Sequence, residues 1–112
     1  MDDVLQAVDA SVAWLDAHNG TGDHELTLRI LKVTEEAGEA AGAWIGVLGQ
    51  NPRKGVTHHR EQVGAELADV VITALVAIES LGLDTASVLR DCAAKVLSRL
   101  PDTRSPANGD PR

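Results

Sequence analysis

The sequence predicts an all-α protein, a four-helix bundle, on three observations. Apolar residues recur at three- and four-residue steps through most of the chain, no segment alternates with period two, and the breaks between periodic stretches are rich in Gly, Asn and Pro. A length of 112 residues suits one such domain, expected over 1–100. The helices are expected at about 3–18, 24–48, 57–81 and 84–99.

In the first helix Val4, Val8, Ser11, Val12 and Leu15 mark one face, with Asp2 or Asp3 as its N-cap. The run Asn19-Gly20-Thr21-Gly22 stops it. The second helix places Ile30, Val33, Ala37, Ala41, Trp44 and Leu48 on one stripe, read as its core face, and Gly49 to Gly55 end it. In the third, Leu67 to Ile78 reads LADVVITALVAI, with only Asp69 and Thr73 polar, the pattern of a central, buried helix. Leu89, Cys92, Ala93, Val96 and Leu100 line one face of the fourth, so Cys92 is expected as a buried thiol. Pro101 to Arg112 has three prolines and almost no apolar residue, and is expected to be a disordered tail.

Composition excludes several functions. Seventeen Asp and Glu against ten Lys and Arg give a net charge of -7, which repels a nucleic-acid backbone. The longest apolar run is too short for a membrane span, and the N-terminus MDDVLQAVDA lacks the basic start and apolar run of a signal peptide. One cysteine permits no internal disulfide, so a cytoplasmic location is expected.

The chemistry lies in carboxylates. Asp69 interrupts an apolar helix with no Lys or Arg within one turn and with Glu66 three residues before it. A buried carboxylate without a partner is costly, so something outside this helix must neutralise the pair. Glu35, Glu36 and Glu39 on the second helix lie opposite its apolar stripe. Two antiparallel helices offering Glu36/Glu39 and Glu66/Asp69 would gather four carboxylates, a repulsive arrangement unless a cation sits among them. All-oxygen ligands suit Mg²⁺, with Mn²⁺ as a substitute, rather than Zn²⁺. Glu35 could reach a second ion or orient water. The competing reading makes the acidic triplet a solvated helix face with Lys32 as its ion-pair partner. A di-iron carboxylate bundle needs His three residues after Glu, and Glu36, Glu39 and Glu66 are followed there by Glu39, Gly42 and Asp69.

Glu35-Glu36-Ala37-Gly38-Glu39 and Glu66-Leu67-Ala68-Asp69 resemble the EExxE and ExxD motifs of the MazG-like all-α nucleoside triphosphate pyrophosphohydrolases. The likeness extends from Leu28 to Leu75, about half the chain. It implies a four-helix MazG-like bundle that cleaves a nucleoside triphosphate between its α- and β-phosphates, giving a nucleoside monophosphate and pyrophosphate. It further implies that Glu36, Glu39, Glu66 and Asp69 hold Mg²⁺ and that Glu35 serves a second ion or activates water. These five acids are the candidate catalytic residues. Many members carry Lys and, one turn later, Asn on the last helix; here Lys95 is followed by Arg99.

Arg53 and Lys54, in the loop between the acidic helices, and Lys95 are candidate phosphate contacts. Trp14 falls off the first helix's stripe, fit to stack on a base or to anchor a subunit interface. His58 and His59 are read as surface residues opening the third helix. No Phe or Tyr is present and only Trp14 and Trp44 are aromatic, so the core is thin. Gly38, Gly42 and Gly46 recur every four residues and admit a close partner helix. A homodimer or homotetramer is therefore expected, as the resemblance also implies. The rival function is a non-catalytic helical interaction module whose acidic cluster is held together by a cation.

Overall fold

The computed structural model describes residues 1–101, and among these it is all-helical, with no strand. The helices are α1 (Asp2–Asn19), α2 (Asp23–Leu48), α3 (Arg60–Ser80) and α4 (Thr85–Arg99). The tail expected at the C-terminus lies, from residue 102 on, outside the described residues. Among the described residues no helix is long and apolar enough to cross a membrane.

Helix boundaries follow local chemistry. Met1, not an aspartate, occupies the N-cap of α1; Asp2 and Asp3 sit in the first turn, where negative charge suits the helix dipole. Gly20, at φ 80°, ends α1 and returns its N–H to the Asp16 carbonyl. Gly49 closes α2 in the left-handed conformation, φ 63°, that glycine adopts without steric cost. The third helix starts at Arg60 rather than at 57. Thr57 and His58 instead fold back on α2, the Thr57 N–H donating to the Gly46 carbonyl at 2.9 Å. A Cβ on Gly46 would run into the His58 imidazole and the Thr57 hydroxyl, so this glycine serves the chain's own loop. The Gln62 side chain accepts the His59 N–H at 2.9 Å and starts α3 there.

α3 is the hub, packing on α2 along its length and on α1, and more lightly on α4. Two contacts make α2 and α3 antiparallel: Thr57, just before α3, meets Gly46 near the end of α2, and Ser80 at the end of α3 meets Arg29 near the start of α2. Val8 and Val12 of α1 pack with Leu75 and Val76 of α3, bordered by Val4, Leu15, Ile72, Ile78 and Leu89. The face that α2 turns inward is not the expected stripe. Arg29, Ala40 and Ala43 are buried, and Leu26, Val33, Glu36 and Val47 half-buried, at steps of three and four. Ile30, Ala37, Ala41, Trp44 and Leu48 are exposed. Small Ala40 and Ala43 let α3 approach closely, which bulky Trp44 and Leu48 would prevent; Trp44 lies on the outer side, with the Arg60 guanidinium 5.2 Å from its ring centre.

α3 is central but not covered all round, since Leu67 and Val71 are 52% and 55% exposed. Asp69 is also exposed rather than buried. Cys92 is likewise exposed, because α4 makes few contacts and its face through Ala93, Val96 and Leu100 stays open. The radius of gyration is 18.8 Å, well above the about 13 Å of a compact domain of 100 residues.

Candidate metal centre

The inward face of α2 carries two charged positions, Arg29 and Glu36, two turns apart. Arg29 is 6% exposed and fully engaged. Its Nε donates to Glu25 at 2.8 Å, one terminal nitrogen to Asp16 at 2.8 Å and to Ser80 at 3.0 Å, and the other to the Gly20 carbonyl at 3.2 Å. This node joins the end of α1, the start of α2 and the end of α3. The Arg29 guanidinium, helped by Asn19, holds the Glu25 carboxyl below its ordinary range. Arg29 is not among the sequence-predicted site residues; its signal is a place in the 26-29-33-36-40-43-47 series with Glu25 one turn before it.

The second position has the opposite character. Glu36 and Glu39 from α2 and Glu66 from α3 each bring a carboxylate oxygen within 4.8 Å of the others. The antiparallel pairing makes this meeting possible, and the half-buried Glu36 is aimed at α3 by the same face that buries Ala40 and Ala43. Glu66 Oε2 is buried and, among the described residues, has no hydrogen-bond partner. Burial first, and then the charge of Glu39, pushes the Glu36 carboxyl above its ordinary range; Lys32 opposes that rise and Asp69 adds to it. Lys32 offsets only part of the negative charge of this cluster, and its oxygen-only donors match a hard divalent cation.

The five acids separate into three situations. Glu36, Glu39 and Glu66 converge. Asp69 is near enough for its charge to act on Glu36 but stands outside the converging set. Glu35 points to solvent, 63% exposed, and pairs with Lys32 at 2.8 Å. Lys32 also reaches Glu36 at 3.7 Å, so the ion pairing of a solvated face is present, but it accounts for Glu35 and not for Glu66.

The candidate phosphate contacts are not part of the cluster. Arg53, Lys54 and Lys95 are exposed, and among the described residues none of them is ion-paired. Trp14 is exposed on α1 with its ring centre 4.5 Å from that of His18. His58 is half-buried against Gly46, and His59 is exposed beside Glu61. Comparison with family models, curated proteins and solved structures found no match to the chain.

Proposed function

We propose that the chain is a Mg²⁺-dependent nucleotide pyrophosphohydrolase of the MazG-like type, cleaving a nucleoside triphosphate between its α- and β-phosphates. One observation carries the reading: three carboxylates from antiparallel helices converge, and one of them, Glu66, has a buried oxygen that no hydrogen bond satisfies among the described residues. The residues fit the cation the motifs imply, since the donors are all carboxylate oxygens and one waits without a partner. Glu36, Glu39, Glu66 and Asp69 would hold it, with Mn²⁺ as a substitute. When bound, the ion supplies charge neutralisation for the phosphates and a lowered pKa for water.

The chain's own groups supply the rest. Glu36 and Glu66 are fixed by helix packing, so their geometry is set before substrate arrives and needs little reorganisation during reaction. Glu35, solvated at the edge of the cluster, accepts the proton of the attacking water or serves a second ion. Exposed Glu39 and Asp69 leave the cluster open on one side, as a site that admits substrate requires. That openness favours catalysis over a closed, purely structural ion site.

A homodimer or larger assembly belongs to the same proposal. Leu67 and Val71 of α3, Ile45 and Leu48 of α2, Val96 and Leu97 of α4 and Leu100 just after it are apolar residues left exposed among the described residues. Gly38 and Gly42 also face open space, where a second helix can come close. Light scattering at micromolar concentration should give at least twice the 11.8 kDa of one chain; a mass of one chain contradicts the assembly.

The activity is tested by incubating canonical and modified nucleotides with the protein and Mg²⁺ and separating pyrophosphate from phosphate. Release of pyrophosphate with a nucleoside monophosphate is expected. Release of phosphate alone contradicts cleavage between the α- and β-phosphates.

A further inference from the structure

Among the described residues, Lys32 is the one cation that the structure sets against the acidic cluster. Its ammonium nitrogen lies 2.8 Å from Glu35 and 3.7 Å from Glu36, one turn toward the start of α2. Its side chain is 55% exposed, so it is tethered at the rim and free to move. Its stem borders the cavity of about 200 Å³ between α1, α2 and α3, lined by Ser11, Leu15, Ile72, Thr73 and Val76. The charges of Glu35, Glu36 and Glu39 all favour its protonated form.

An ammonium and a divalent cation cannot both approach Glu36 without mutual repulsion. We infer that Lys32 is a built-in counter-cation of the cluster: it neutralises Glu35 and Glu36 before a metal ion binds, is displaced by that ion, and then meets the polyphosphate of the substrate. This rests on the metal-site reading above. The chemistry is economical in charge. A metal ion entering three carboxylates expels one positive charge toward the rim, where an anionic substrate next arrives. A short, flexible ammonium suits that movement better than a planar guanidinium committed to two carboxylates, which is how Arg29 is used.

The two halves of this inference have opposite signs, which separates it from a simple structural role. Lys32→Met removes a competitor and a repelling charge from the cluster, so Mn²⁺ alone should bind about fivefold more tightly, the scale of one solvated ion pair. With the cluster saturated by Mn²⁺, the same variant should bind inorganic tripolyphosphate about tenfold more weakly, the scale of one charge-assisted contact. Lys32→Arg, which keeps the charge, should recover most of the tripolyphosphate affinity.

Isothermal titration of the full chain measures both affinities. Mn²⁺ affinity in Lys32→Met that is equal to or below that of wild type overturns the inference while leaving the metal site standing. Unchanged tripolyphosphate affinity in the variant also overturns it. Failure of the wild-type chain to bind Mn²⁺ overturns the reading of the site, and this inference with it.

Discussion

Arg29 and Glu36 occupy the same inward strip of α2, and the two turns between them separate two ways of placing charge inside a helical protein. Around Arg29 every neighbouring group answers the charge: two carboxylates, a hydroxyl and a carbonyl converge on one guanidinium. Around Glu36 the other carboxylates repeat the charge, Lys32 at the rim offsets it only in part, and among the described residues Glu66 keeps a buried oxygen without a partner. A satisfied network fixes helix ends; an unsatisfied one with an excess of one sign is a place for a ligand. The difference teaches that burial of charge alone does not mark a functional site. The missing partner does.

The comparison breaks first at the node. Arg29→Met should remove about 3 kcal/mol of stability, the lower end of the cost of leaving a buried ion pair half-made, because Asp16 is 37% exposed and can be rehydrated. Chemical denaturation should show the loss. A change below about 0.5 kcal/mol, the scale of an ordinary surface substitution, would mean that the network holds nothing together.

The acidic cluster should respond in rate and not in fold. Glu36→Gln and Glu66→Gln keep size and remove charge, so each should lower the rate of nucleotide hydrolysis by at least ~100-fold with helical content unchanged. Full activity in Glu66→Gln rules out the site.

The smallest effects are in pH dependence, and here the two regions should differ in sign. Glu25 has a depressed carboxyl, so its contribution to stability is present above the unfolded value, near pH 4.3, and is lost as pH falls through the folded value. Glu25→Gln should therefore lower the Tm at pH 7, with the gap to wild type closing on acidification. Glu36 has a raised carboxyl, so its favourable contribution is present below the unfolded value and lost as pH rises through the folded one. Without metal, Glu36→Gln should raise the Tm at pH 7, and that gain should vanish near pH 4. Thermal scans of both variants in chelator across pH 4–7 check the pair, and shifts of the same sign would erase the contrast.

The helices and their order were legible in the sequence because glycine-rich breaks and three- and four-residue periodicity are local signals. The inward face of α2 was not. Ile30, Trp44 and Leu48 form its most apolar stripe, yet the helix buries Ala40, Ala43 and Arg29 and half-buries Glu36, since small residues permit the α2–α3 contact and Arg29 meets partners on α1 and α3. The acids were legible as two spaced pairs. Of the Glu66/Asp69 pair expected to need neutralising, Glu66 has the buried oxygen, whereas Asp69 is exposed. Lys32 was visible only as an i+3 and i+4 partner. Its place between cluster and cavity depends on the packing of three helices.

The central claim, that the Glu36–Glu39–Glu66 cluster takes a divalent cation, is tested most directly by thermal unfolding with and without Mg²⁺ in wild type and Glu66→Gln. An ion bound only by the folded chain stabilises it by about 2.7 kcal/mol at a hundred times its Kd. The wild-type Tm should rise with Mg²⁺ and that of Glu66→Gln should stay nearly fixed; equal rises in the two proteins, or no rise in wild type, would contradict the account.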